Sequence, residues 1–450
     1  MSERAHTRYV TDDTVSSPGA QRRRETRRSQ HGVVRLVRLV LACLVVVPLV
    51  VTVATNPVFV ADEAGYSPEG SVAGQTAITG TEFVVVAGDG TVDYRETRRD
   101  EYWDVDPIPD SDAVVVSTVT LDPDGLGCSN CVVQRIERID PTTGERRVLY
   151  SEVTPGQRDV EWHDVDRINE THYVIADIAQ HELETVDTTT NTTVWEWSAY
   201  TALSPGAGGA FDGDWTHLND VEIVRDGQYV TGSLRNHDRV VFVNRTSGRV
   251  NESLSLGADD DHSILDEQHN PDYLPAERGG PAMIVADSNN DRVVEFRREG
   301  GEWVESWVWQ DDRLKWPRDA DRLPNGHTLV TDTNGNRVLQ VDERGQVVWS
   351  IETNLDAYEA ERLSTADESA GGTAATELGL DSRTVAPETP LERAQVAVES
   401  ALGPRAVNGI VWVTPAWMRF PEFVTVLVSL VSALVLTGYE LSVRGLVPRR

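Results

Sequence analysis

The sequence predicts an all-β chain: a six-bladed β-propeller, five blades plain and one composite, flanked by two transmembrane helices. Three observations carry this expectation. A short polar motif recurs five times between residues 100 and 352, each copy is followed by alternating strands and turns, and charge-free aliphatic stretches bracket the whole.

The motif copies are EYWDVD at 101–106, EWHDVD at 161–166, HLNDVE at 217–222, EQHNPD at 267–272 and WPRDAD at 316–321, their starts 49 to 60 residues apart. That period belongs to propeller blades. After each motif comes a short apolar strand such as YVIAD, MIVAD or TLVTD, then an alternating strand such as RVVFVN or RVLQVD, a turn such as NRTSG or DERG, and a fourth strand. Four short antiparallel strands make one blade. Residues 74–96 read as the outer strands of a sixth blade assembled from distant segments, because a ring left open would expose strand edges. The propeller is thus expected over 70–352. An acidic stalk follows at 353–415, with a short helix near 391–402.

The ends read as membrane anchors. Residues 39–60 form the first expected span and 420–440 the second, each long enough for a bilayer. Arginines crowd the tail at 1–38, and Arg444, Arg449 and Arg450 lie in the tail at 441–450. Basic flanks stay inside, so both termini are expected in the cytoplasm and the propeller outside a two-pass chain. Trp412, Trp417 and Phe420 fit an interfacial belt on the outer side. The first span has a second reading, as a cleaved signal peptide.

The chain has 450 residues, 41 Lys and Arg against 73 Asp and Glu, and a net charge of -32. Lys315 is the sole lysine and the acids are scattered, the pattern of a halophilic surface. No basic face exists to neutralise phosphates, which argues against nucleic acid as a partner. Cys128 and Cys131 are expected to form a small external disulfide, two ligands being too few for zinc. Asn169, Asn191, Asn244 and Asn251 each head a glycan acceptor triplet.

In a propeller the first strand of every blade lines the channel, so equivalent motif positions converge. The residue before the repeated acid is Trp103, His163, Asn219, His269 or Arg318; two positions earlier stand Glu101, Glu161, His217, Glu267 and Trp316. Arg235 ends the hairpin strand beside Asn219 and joins them. The column Asp104, Asp164, Asp220, Asn270 and Asp319 repeats in all five copies, so it is read as structural, tying each strand to its neighbouring turn. Imidazoles can act as nucleophile or acid, and Arg with Asn can hold a tetrahedral oxyanion.

The H-x-N pair His217 and Asn219, Arg235 sixteen residues on, an upstream blade His163 and the QH at 268–269 resemble the arylsulfate sulfotransferase family, in a membrane-anchored, haloarchaeal form. That resemblance implies a six-bladed propeller moving sulfate from an aryl sulfate to a phenol, small-molecule partners both, by a ping-pong route with no cofactor and no metal. It implies His269 as the nucleophile forming a sulfohistidine, His217 and His163 as acid/base and charge-stabilising partners, and Asn219 and Arg235 as the sulfuryl clamp. Arg318 enters as a substrate-binding residue by column position alone. The chain departs from bacterial members in having no room for their extra N-terminal β-domain. Two alternatives stay open: a metalloenzyme with His163, His217 and His269 around one Zn or Cu ion, and a non-catalytic propeller that binds an external ligand.

Overall fold

A computed structural model describes residues 34–50, 52 and 66–444, apart from 122, 124–126, 129, 157, 366–367, 387–389, 416–417 and 419. Two compact units result, one of residues 1–59 and 422–450 and one of residues 60–421.

The larger unit is the propeller. Each motif copy starts a blade because a β-branched or aromatic run with period two follows it and a Gly, Asn or Asp turn closes each hairpin. Blades 1 and 2 run through residues 101–155 and 162–198 as plain four-stranded sheets. Blade 3 occupies 223–257, blade 4 starts with His269–Leu274, and blade 5 with Pro317–Arg322. Blade 6 is composite, as expected: Gln75–Ile78, Phe83–Ala87 and Val92–Glu96 supply its outer strands.

Its inner strand corrects the expected boundaries. Ala360–Arg362, assigned from sequence to the stalk, pairs with Gln75–Ile78, so the propeller does not end at residue 352. The physical reason is ring closure, since without this strand the inner edge of blade 6 would stay unpaired. Arg383–Val385 adds in parallel to the outside of blade 4, and Glu69–Gly70 to the outside of blade 5. Helix Pro390–Leu402 lies where the sequence places one.

The core sits between blades. Phe83 and Val85 of blade 6 pack on Tyr102, Val114 and Val116 of blade 1, closing the ring. Comparable clusters fill the other five interfaces. The column acids Asp164 and Asp319, with Asp166 and Glu222 two positions past the column, contribute a second tie. Asp164 accepts a hydrogen bond from the Val221 amide at 2.5 Å, Asp166 from Ile223 at 2.7 Å, Glu222 from Tyr273 at 2.8 Å and Asp319 from Ala360 at 3.1 Å. Those acids are structural, as read, but they reach the next blade and not the neighbouring turn.

In the smaller unit residues 34–50 are helical. The expected first span, 39–60, therefore lies partly outside the described residues, as does the basic tail before residue 34. Helix Phe420–Val443, 24 residues with a hydropathy of 2.0, is the one helix among the described residues long and apolar enough to cross a membrane. Arg38 and Glu440 form a two-pronged ion pair. Trp412 is exposed, Phe420 is buried, and Trp417 lies outside the described residues.

Candidate functional site

The mouth of the channel is built by irregularity in the first strands. Blades 1, 2, 4 and 5 each carry a β-bulge at the motif, between Tyr102 and Val105, opposite Ala176 and Asp177, between His269 and Asp272, and between Pro317 and Asp319. A bulge adds a residue to one strand and re-aims its side chain. Trp103, His163, His269 and Arg318 all sit at these bulges. His217, Glu267 and Trp316, which hold the same motif position in blades 3 to 5, share φ values of 44°, 51° and 52°.

The structure brings His163, Asn219, His269 and Arg318 around one residue the sequence reading missed, Tyr358; His217 joins through His163, their rings 5.1 Å apart, and Arg235 through His217. Its ring lies edge-on to His163 at 5.0 Å and to His269 at 6.0 Å, and the Arg318 guanidinium lies 5.0 Å over its face. Tyr358 is the blade 6 member of the same column, preceding Glu359-Ala-Glu361 as His163 precedes Asp164-Val-Asp166.

Hydrogen bonds set the tautomers. His217 Nδ1 lies 2.9 Å from Asp214 Oδ2, and its Nε2 lies 2.9 Å from Arg235 Nη1. A carboxylate only accepts and a guanidinium only donates, so His217 is the neutral Nδ1–H form. Burial, then the Arg235 charge, take His217 down to about 4, against the pull of Asp214. Burial raises the Asp214 carboxyl, but the His217 hydrogen bond, the charges of His217 and Arg235 and a bond from Asn236 outweigh it and bring it to about 2. With His217 neutral at ordinary pH, the charge facing Asp214 is Arg235, 3.2 Å away through Nη2.

Tyr358 has one phenolic proton and donates it to the Asn219 carbonyl at 3.2 Å, so its oxygen accepts from His163 Nδ1 at 3.2 Å. Ser288 likewise donates to the Pro317 carbonyl at 2.7 Å and accepts from His269 Nδ1 at 2.8 Å, with the Glu267 carbonyl at 3.1 Å. Both rings are thus neutral and carry a lone pair on Nε2, which meets no hydrogen-bond partner among the described residues. Burial first, and the nearby arginines second for His269, hold both well below the usual imidazole range.

Arg318 is the unusual member. Among the described residues its guanidinium makes no hydrogen bond and no ion pair, and its Nε is buried without a partner. Burial lowers its pKa, yet an arginine keeps its charge. The Tyr358 ring covers one face of this half-buried guanidinium, and among the described residues no anion neutralises it. At the rim Glu101 is pushed up to about 7 by burial, with the charges of Glu161 and Asp100 adding. Asn219 donates to the Gln268 carbonyl at 2.9 Å, leaving its own Oδ1 buried and unpartnered.

The nitrogens of the three histidines do not gather with a third ligand: among the described residues the only metal-competent group at this mouth is Asp159, Asp214 and His217, and both nitrogens of His217 are already engaged. Asp214 was not foreseen, since it lies in a glycine-rich loop with no register to mark it. Away from the mouth, Cys128 and Cys131 are bonded to each other. Asn169 and Asn191 are exposed, whereas Asn244 and Asn251 are half-buried and the Asn251 amide donates to Tyr229.

Fold and site together define a six-bladed propeller with a histidine-lined, cationic mouth. No family model matches the chain, and no curated protein matches it. Solved structures that resemble it include a protein of unknown function from Bacteroides caccae (12% identity, TM-score 0.44), covering 64% of this chain and 98% of that one. The periplasmic gluconolactonase PpgL of Pseudomonas aeruginosa (14%, 0.43) covers 64% and 98%. A chain of the nidogen/laminin complex (9%, 0.45) covers 64% and 97%. These likenesses are too remote to bear on activity.

Proposed function

We propose that the propeller transfers a sulfuryl group from an aryl sulfate to a phenol through a sulfohistidine at His269. The observation that carries this reading is Arg318, a half-buried guanidinium lying over the Tyr358 ring with no hydrogen bond or ion pair among the described residues, beside a neutral imidazole whose Nε2 lone pair is free. A sulfate ester is the anion such a site lacks.

In the first half-reaction His269 Nε2 attacks sulfur and the bond from sulfur to the aryl oxygen breaks, its electron pair leaving as phenolate. The Nδ1 proton stays on the ring, held by Ser288 and the Glu267 carbonyl, so the sulfo group sits on a cationic ring that makes nitrogen a good leaving group. Arg318 and Arg235 face the spread charge of the three sulfuryl oxygens. In the second half the acceptor phenol attacks sulfur, the nitrogen bond breaks, and His163 Nε2 takes the phenolic proton. The bound anion raises the His163 pKa from its low resting value. His217, locked between Asp214 and Arg235, orients the clamp.

A membrane anchor belongs to the same reading. The apolar helix Phe420–Val443 and the Arg38–Glu440 pair, which joins the start of one helix to the end of the other, support a two-pass chain with both termini on the cytoplasmic side.

The test is intact-protein mass spectrometry after incubation with an aryl sulfate. Wild type is expected to release phenol and gain one sulfuryl group on His269, and His269→Ala to do neither. Wild type that binds sulfate but never forms the adduct would leave a ligand-binding propeller instead.

A further inference from the structure

Trp103 brings to the mouth a donor that no group among the described residues accepts. Its indole Nε1 is buried and has no hydrogen-bond partner. A buried indole N–H ordinarily finds an acceptor, because an unmade bond costs the full desolvation of the group. The rest of the chain follows that rule. Trp162, Trp195, Trp215, Trp303, Trp309 and Trp349 each donate to a protein oxygen at 2.7 to 3.1 Å. Among the described residues only Trp197, on the outer strand of blade 2, also has a buried Nε1 without a partner, and it lies away from the channel.

The neighbours of the ring fix where that N–H lies. The indole stacks on the His163 imidazole, centroids 4.2 Å apart and planes 24° apart. It also meets the Tyr358 ring edge-on at 5.0 Å, and Tyr358 in turn lies 6.0 Å from His269. Trp103 belongs to blade 1 and His269 to blade 4, so in a ring of six they stand on opposite walls of the channel. The carboxyl facing the indole is Glu101, whose Oε2 is likewise buried and unpartnered, so the two lie side by side without a hydrogen bond.

Displacement at sulfur sets what such a donor meets. Attacking and leaving atoms lie roughly in line, so with His269 Nε2 on one side of sulfur the aryl oxygen points to the opposite wall, where Trp103 and His163 stand. We propose that the Trp103 indole N–H is a catalytic hydrogen-bond donor to the aryl oxygen of the sulfate ester, an inference that rests on the sulfuryl-transfer reading of the mouth. As the bond from His269 Nε2 to sulfur forms and the sulfur–oxygen bond breaks, the electron pair passes to the aryl oxygen, and the N–H stabilises that charge without giving up its proton. In the second half the acceptor hydroxyl takes the same place. Its oxygen attacks sulfur beside the indole, its proton goes to Nε2 of the stacked His163, and the pair of the nitrogen–sulfur bond returns to His269. The contribution is largest where the leaving oxygen is most basic, since that oxygen carries the most charge as the bond breaks.

The test uses the full chain in detergent, in excess over an aryl sulfate and without acceptor, so that one release of phenol is timed and the adduct on His269 is weighed. Phenyl sulfate has a basic leaving oxygen and 4-nitrophenyl sulfate a weakly basic one. Trp103→Phe keeps an aromatic face against His163 and removes the N–H. It should slow release from phenyl sulfate by about 10²-fold and from 4-nitrophenyl sulfate by less than about tenfold, with the adduct still forming on His269. An equal loss with both esters, or no loss with either, overturns the proposal and leaves the sulfohistidine reading standing. A change confined to the pH profile and alike for both esters, the mark of an indole that serves only Glu101, overturns it as well. Wild type that forms no adduct sinks the reading itself, and the role of Trp103 with it. Should Trp103→Phe not fold, benzothienylalanine at position 103, with sulfur in place of the N–H and the shape retained, gives the same comparison.

Discussion

His217 illustrates how a single ring can report its surroundings. Caught between an acceptor-only carboxylate and a donor-only guanidinium, it is neutral, with its pKa taken down to about 4 by burial and Arg235. The acid limb of kcat/KM is therefore expected near pH 4 instead of near 6.5, because the working form is lost only when the ring gains a second proton. Asp214 raises that value, so Asp214→Asn should move the limb lower still, a shift that pH profiles of kcat/KM would detect. Arg318 supports a sharper test. Removing one preorganised donor from a transition-state anion costs about 10²–10³ in rate, whereas a guanidinium stacked on a ring contributes only about 0.5–2 kcal/mol. Arg318→Met should thus lose activity by that factor while changing stability by no more than about 2 kcal/mol in denaturant melts. A variant that loses activity and more stability than that would make Arg318 a structural residue. His163, Asn219, His269 and Arg318 were legible because blade repetition puts each at one motif position. Asp214 was not, because loop residues carry no period.

At the level of elements, the bulges turn a repeated strand into a site. Where the sequence shows only D-x-D alternation, the inserted residue lets Trp103, His163, His269 and Arg318 reach the channel along with the acids that follow them. Five first strands were readable from their motifs. The sixth was not, because Tyr358-Glu359-Ala360-Glu361 has lost the aspartates of the other copies and sits after a polar run that resembles a linker. Its signal is the acid-x-acid pair alone, one motif length past blade 5. The consequence is measurable: a chain ended after residue 352 lacks the inner strand of blade 6 and the Tyr358 bridge between His163 and Asn219. It is expected to give no cooperative unfolding transition and to aggregate through the open edge. A chain ended after residue 386 keeps both Ala360–Arg362 and Arg383–Val385 and should unfold cooperatively by circular dichroism.

Over the whole molecule, opposing titrations set how stability varies with pH. The lowered histidines, His163, His217 and His269, bind protons in the unfolded chain before they do in the native one, so their contribution grows as pH rises and is complete above about 6.5. The raised carboxyls act in the other direction. Burial takes Asp319 to about 7 and Glu101 to about 7, and holds Asp220 and Glu359 well above their usual range. These groups keep protons in the native state that the unfolded chain has already released near pH 4. Their contribution is fully present below about 4 and is lost as pH climbs through the folded values. Above 6.5 only the second set still titrates, so the protein should lose stability between pH 6.5 and 8. Each kcal/mol lost lowers the midpoint by roughly 2–4 °C for a domain of a few hundred residues. Asp319→Asn removes one such group and should flatten the slope. Midpoints from thermal melts across that pH range check both statements, and a midpoint that rises with pH would show that these buried carboxyls are ionised throughout.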